Sequence, residues 1–210
     1  MEITNKILKK LLAKKYRQEF SLCILEGEKI INDNSDLIVK IFDEDTLGNL
    51  QTYHGRVAVA KIPKPTAPTT PFLVLDRIQD PGNMGTILRT AVAFGFKTIY
   101  VIDCVDPYSP KTIRASSGMA LRLNIIDTDY EHLPTNVMYY IADLHGDKPQ
   151  PIKDSNFGIV LGNEGQGISP QIYAKPHKVV TIPMEPNCES LNVAVAGGII
   201  MCYTRFNEWT

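Results

Sequence analysis

The stretch DRIQDPGNMGTILRTAVAFGF, residues 76–96, decides how the rest of the chain is read. It begins where an apolar run from Phe72 to Leu75 ends, and passes through Pro81, Gly82 and Gly85 into a segment with helical spacing. A glycine-bearing turn between a strand and a helix suits close approach of a ligand to the backbone. The spacing here is neither the GxGxxG of a dinucleotide site nor that of a phosphate loop, since Gly82 and Gly85 are three apart and no lysine follows. Ile87, Leu88, Ala91, Val92 and Gly95 form the packed side of the helix, and Arg89 shares a face with Gly85 four residues before it. A guanidinium there can fork two hydrogen bonds onto a phosphate or a carboxylate. Any single arginine is by default a solvated surface residue; the glycines and Asn83 are what argue for a ligand.

Working outward, residues 72–210 alternate apolar β-rich runs with helical segments. PFLVLDRI, TIYVID, LNIID, MYYIAD, FGIVLGN and KVVTIP are the strand candidates. Continuous apolar strands alternating with helices predict an α/β domain with a mostly parallel sheet covered on both faces. In such a sheet ligands sit at the carboxyl ends of the strands, which puts the unusual loops on one rim. Before it, PKPTAPTTP (63–71) holds four prolines and no large apolar residue, and reads as a semi-rigid linker. Residues 1–62 read as a small α/β unit of their own. Its first helical segment carries Lys6, Lys9, Lys10, Lys14, Lys15 and Arg17 beside a narrow stripe of Ile3, Ile7, Leu11 and Leu12. A solvated amphipathic helix explains that pattern, and so does a face that meets phosphates.

Composition narrows the class. At 210 residues, 44% hydrophobic and 21% charged, the chain can bury a real core as a globular protein. MEITNKILKK has no apolar stretch after its basic start, and SLNVAVAGGIIMCY is shorter than a membrane span. Cys23, Cys104, Cys188 and Cys202 are scattered, and His54, His132, His145 and His177 match no metal or triad spacing. Free thiols in a reducing cytoplasm, with no metal and no membrane, are the expectation. The net charge of −1 decides nothing about nucleic acid, because what matters is where the charge sits.

Two further loops carry chemistry. In GIVLGNEGQGIS (158–169) a strand ends at Leu161, and Gly162, Gly165 and Gly167 space out Asn163, Glu164 and Gln166. Such a loop can offer bare backbone N–H and C=O groups to a flat ligand, and Glu164 can receive a proton or hold a cation. In VVTIPMEPNCESLNVAVAGGIIMCY (179–203), Pro183 and Pro186 stiffen a loop that ends at a long helix. Ser190 is the expected N-cap, with Leu191 and Asn192 in the first turn. That helix is apolar or small on every side and is expected to be buried, with Gly197 and Gly198 facing a neighbouring backbone, in the sheet or in a partner subunit.

Taken together and in order, NMGTILRTAVAFG, IVLGNEGQGIS and TIPMEPNCESLNVAVAGGI resemble the three motifs of the SpoU (TrmH-like) RNA ribose methyltransferases of the SPOUT superfamily. The resemblance covers residues 72–210. It implies a knotted methyltransferase domain with a C-terminal trefoil knot, a feature that physics alone argues against. It also implies transfer of a methyl group from S-adenosylmethionine to a ribose 2′-hydroxyl of RNA, leaving S-adenosylhomocysteine, in a homodimer without metal. By the same resemblance Leu161, Gly162, Asn163, Gly165, Ile182, Met184 and Leu191 line the adenosyl pocket. Arg89 with Asn83, Glu164, Ser190 and Asn192 would form the catalytic group. SPKTIRASSGMALR brings Arg114, Ser116 and Ser117 to the RNA side, along with Lys6, Lys10, Lys14, Lys15 and Arg17 of the first segment. KKYRQEFSLCILEGEKII resembles the L30e-like RNA-binding domain that many members carry, which inclines the substrate toward rRNA over tRNA.

An arginine with a pKa above about 12 is a poor base, so Arg89 reads as a clamp on a substrate phosphate that orients the ribose. The phosphate, or a locally perturbed Arg89, would take the hydroxyl proton. Two other classes stay open at this stage. One is an RNA-binding protein that holds S-adenosylmethionine without catalysis, against which the intact Arg89, Glu164 and Asn192 speak. The other is a small-molecule α/β enzyme, against which the basic first segment speaks.

Overall fold

A computed structural model describes residues 2–42 and 55–206; His54 lies outside them. The chain opens with α1 (Asn5–Lys10), α2 (Lys14–Phe20), β1 (Leu22–Glu26), α3 (Glu28–Asp33), β2 (Ile38–Phe42) and β3 (Val57–Lys61). β3 is the middle strand, antiparallel to both β1 and β2. Alternate residues of β1 serve two cores, as the period of two requires. Leu22 and Ile24 pack with Ile3, Leu8 and Leu11, while Cys23 and Leu25 face the other way. The single basic helix expected here is two short helices. The break at Leu11–Ala13 turns Leu12 out to solvent and leaves Leu8, not Leu12, in the core.

Six parallel strands follow: β4 (Phe72–Asp76), β5 (Thr98–Ile102), β6 (Asn124–Asp127), β7 (Met138–Asp147), β8 (Phe157–Gly162) and β9 (His177–Val180). Their order is β6-β5-β4-β8-β7-β9. All five residues of β4 and of β5 are buried, the continuous apolar signature of strands covered twice. On one face Leu73 and Leu75 pack against α4 (Pro81–Ala93) and α7 (Val193–Arg205) through Ile87, Leu88, Ala91, Ile200 and Met201. On the other, Phe72 and Val74 join Leu133, Val137 and Ile172 of α6 (Pro170–Tyr173). The chain builds outward from β4 to β6, then crosses back to β7, so the direction reverses between β4 and β8. Open α/β sheets bind ligands at the carboxyl end of that reversal.

The two units are not held apart by a linker. Ile113 of α5 (Pro110–Ala115) and Leu121 share one apolar cluster with Cys23, Leu25, Ile31, Ala58 and Ala60. The proline-rich stretch is fastened along the sheet: Thr66 exchanges bonds of 2.8 and 3.1 Å with the Asn124 side chain, and the Thr69 amide donates to Thr98 Oγ1 at 2.9 Å.

Four local expectations are corrected. The glycine turn after β4 is already helix: Asp80 caps it by accepting from the Asn83 amide at 2.8 Å, with Pro81 in the first turn. Gly85 is a crossing point, where an added Cβ would lie 2.4 Å from Ala115 Cβ and 2.8 Å from backbone atoms of Thr112 and Ser116. The final helix is capped by Asn192, whose side chain accepts from the Ala194 and Val195 amides, and not by Ser190. Nor is that helix buried all round: Val195 and Tyr203 are about half exposed. Within the chain, Gly197 faces the Leu161 side chain and not the sheet backbone, and Gly198 makes only ordinary contact with Thr90.

Candidate functional site

At the carboxyl ends of β7, β8 and β9 the chain forms an open cleft of about 300 Å³. Leu161, Gly162, Asn163 and Gly165 line it from the loop after β8, and Ile182, Met184 and Leu191 from the loop after β9, so all seven residues expected at the adenosyl pocket meet there. Ser190 and Glu164 stand on the same wall. Val193, Ala196 and Ile200 of α7 close the floor. The lining is apolar apart from loop backbone and a few polar side chains, the build of a small-molecule site. It includes no residue of the 76–96 stretch.

That stretch meets the pocket through Asn83, which joins all three loops. Its Nδ2 donates to Glu164 Oε1 at 2.5 Å, and its Oδ1 accepts from Asn192 Nδ2 at 2.8 Å. Asn192 can do so because its Oδ1 is committed to capping α7, which fixes the amide's orientation. Arg89 stands apart from this trio. It is exposed, one to two turns further along α4, and donates to Ser117 Oγ at 3.2 Å. Ser117 holds a left-handed backbone at φ +52°.

The residues expected to face RNA divide. Lys6, Lys14 and Lys15 are exposed, and Lys10 lies over the Tyr16 ring at 4.9 Å. Arg17 is corrected: it is buried, paired with Asp106 at 2.5 Å and donating to the Leu11 carbonyl at 2.6 Å. Ser116 is corrected too, being fully buried with its hydroxyl donating to the Ile113 carbonyl at 3.0 Å. Arg114 is exposed and reaches Glu26 at 2.9 Å across the junction of the two units.

Sequence reasoning missed a polar cluster under the pocket loop. Asp76 ends β4 fully buried and accepts from the Ser169 amide at 2.6 Å, Ser169 Oγ at 3.1 Å, Tyr130 Oη at 2.8 Å and Arg77 Nε at 3.0 Å. The Asp76 bond holds the Arg77 guanidinium more firmly protonated than usual. Burial raises the Tyr130 phenol above its ordinary range. A carboxylate closing an apolar strand was the available signal, since a buried acid needs partners. Also missed was Asp143 on the pocket wall, which accepts from the Tyr173 hydroxyl. Burial, then that bond, pushes the Tyr173 phenol up to about 12. Among the described residues no group of histidines, cysteines and acids could hold a metal ion, and no helix is long and apolar enough to cross a membrane.

A ligand-sized pocket on the rim of a doubly covered parallel sheet, with polar side chains from three loops meeting beside it, defines an α/β protein of the open-sheet, ligand-binding class. The SpoU rRNA Methylase family matches residues 70–202, and the chain belongs to that family. An uncharacterised tRNA/rRNA methyltransferase of Synechocystis sp. is 40% identical over 147 residues; the match covers 65% of this chain and 53%, about half, of that relative's length. The Bacillus subtilis 23S rRNA (guanosine(2553)-2′-O)-methyltransferase RlmP is 28% identical across 94% of both chains. A Porphyromonas gingivalis structure assigned as an RNA methyltransferase of the TrmH family superposes with a TM-score of 0.81. It is 27% identical, over 98% of this chain and 99% of that one.

Proposed function

We propose that this protein methylates a ribose 2′-hydroxyl of ribosomal RNA, using S-adenosylmethionine held in the pocket between the loops after β8 and β9. The observation that carries the reading is the Asn83 junction, which sets Glu164, Asn192 and the pocket wall in one fixed arrangement. The residues present suit the donor. A volume of about 300 Å³ is at the lower bound of small-molecule sites. The Asp143 and Glu164 carboxylates complement its cationic groups, and the loop backbone can meet a flat base. When bound, that donor supplies a methyl group already activated for transfer.

What remains for the protein is to place an oxygen and relieve it of a proton. Arg89, exposed on α4, forks onto an RNA phosphate and brings the adjoining ribose over the pocket. Positioning of this kind is worth about 7–11 kcal/mol of a barrier. As the oxygen takes the methyl group its proton passes to the clamped phosphate or to a locally perturbed Arg89. Asn83, Glu164, Ser190 and Asn192 hold the ribose edge of the site.

Further features support the finer parts of the reading. The B. subtilis relative, matched along nearly its whole length, is named for a 23S rRNA activity, which favours rRNA. The described part of residues 1–62, with its three-stranded sheet and exposed Lys6, Lys14 and Lys15, suits an L30e-like RNA-binding domain. After β9 at the sheet edge the chain returns to lay α7 on the central strand β8, a path that a trefoil knot in the 72–210 domain requires. The outward stripe of Val195, Tyr203 and Phe206 favours a homodimer. Four free thiols fit a reducing cytoplasm.

The test is ribose-methylation mapping of ribosomal RNA incubated with donor and protein. One new 2′-O-methyl position is expected. Arg89→Ala should lower turnover by at least about 100-fold while S-adenosylhomocysteine affinity stays within about twofold. Wild-type turnover in that variant would remove Arg89 from the reaction, and no methylation of any RNA by the wild type would sink the proposal.

A further inference from the structure

Arg77, besides pairing with Asp76, reaches the loop after β8. It follows the last residue of β4, and its backbone sits at φ +59°, in the left-handed region that side chains rarely enter. From that turn its guanidinium crosses to the glycine-rich loop after β8. Nη1 donates to Gln166 Oε1 at 2.8 Å, and Nη2 to the Gly167 carbonyl at 3.1 Å. The root of the same side chain is tied to buried Asp76 through Nε at 3.0 Å. The Arg77 carbonyl in turn accepts from Asn163 Nδ2 at 2.9 Å.

Those contacts grip the loop at its base. Asn163 and Gly167 already close it with reciprocal backbone bonds of 3.1 and 2.9 Å, and Asn163 Oδ1 accepts from the Gly165 and Gln166 amides at 2.9 Å each. Between the two closing residues lie Glu164 and Gly165, which line the pocket. A segment with glycines at 165 and 167 has much backbone freedom to lose on ordering. A partner that removes this freedom beforehand strengthens whatever the loop binds.

We infer that Arg77 is a positioning residue: through its left-handed turn it preorganises the 163–167 loop to receive the methyl donor and keeps Glu164 within reach of Asn83. The role in donor binding rests on the pocket reading above; the grip on the loop does not.

Two variants separate the grip from the strain. Arg77→Gly removes the guanidinium and frees the backbone, whereas Arg77→Ala removes the guanidinium and keeps the strained turn. Both should bind S-adenosylhomocysteine about tenfold more weakly in titration calorimetry, the scale of one hydrogen bond from a charged group. Both should show faster amide exchange at 163–167 in the ligand-free protein. Both variants leave buried Asp76 without its cation and should lower the thermal midpoint, Arg77→Gly less than Arg77→Ala because glycine relieves the strained turn. Affinity is therefore measured at a temperature where circular dichroism shows each variant fully folded, so a weakened binding is not loss of fold. Affinity within about twofold of wild type, with exchange unchanged, overturns the inference. If the wild type itself takes up no S-adenosylhomocysteine, the donor reading falls, and amide exchange alone decides whether Arg77 holds the loop.

Discussion

Two thiols couple stability to alkaline pH. Burial, and secondarily the Asp106 carboxylate, pushes Cys23 from its ordinary 9.0 up to about 12, and burial takes Cys104 up to about 11. A group whose folded pKa is raised stabilises fully below its unfolded value and loses that contribution as pH climbs through the folded one. Stability is therefore expected to decline between pH 9 and 12, by up to about 1.4 kcal/mol per pH unit for Cys23. Denaturation at pH 8, 9 and 10 checks this. Cys23→Ala should start lower, because it empties core volume, but fall less steeply; parallel slopes would refute the linkage. Asn83 and Glu164 were legible singly as polar residues among glycines, and Ser190 and Asn192 as a polar helix entry. The bonds that join Asn83 to Glu164 and Asn192 were not, because those partners lie 81 and 109 positions away.

At the scale of elements, two helix glycines should respond differently to alanine. In α4, Gly85→Ala would drive a methyl into the Thr112 and Ser116 backbone of α5, which cannot step aside without parting the helices. A loss of about 1–3 kcal/mol is expected in urea denaturation. In α7, Gly197→Ala meets only the Cδ1 end of Leu161 at 2.6 Å. That side chain can swing away, and alanine regains about 1 kcal/mol of helix propensity, so stability should change little. Leu161 lines the pocket, however, so calorimetry should find S-adenosylhomocysteine bound several-fold more weakly. Unchanged binding would show that Leu161 yields away from the cavity. The strands and most helices were readable from periodicity. The cap of α7 was misplaced by two residues because Ser190 and Asn192 are both good caps, and only the path of the proline-stiffened loop selects Asn192.

Across the whole molecule, the first 62 residues and the large sheet should behave as one cooperative body. Their shared cluster of Cys23, Leu25, Ile31, Ala58, Ala60, Ile113 and Leu121 is reinforced by the Arg17–Asp106 pair, whose side chains are only 5% and 12% exposed. Asp106→Ala strands a buried guanidinium and should cost about 3–5 kcal/mol. Near- and far-ultraviolet circular dichroism should still fall together in one urea transition at a lower midpoint. Two separated transitions would mean that the units fold independently, as their proline-rich connection first suggested.

By itself the sequence determined what depends on near neighbours: apolar runs that must be covered on both faces, glycines that open the loop after β8, prolines that stiffen the loop after β9, and the ordered motifs of the SpoU family. Tertiary structure alone decided which of two chemically equal residues does what. Arg17 is buried while Lys14 and Lys15 stay in solvent, and Asp76 gathers Tyr130 and Ser169 from 54 and 93 positions away. The reason is physical. Local patterning sets which surfaces must be hidden, whereas the partner of a buried charge or amide is whatever group the completed packing brings within hydrogen-bond distance.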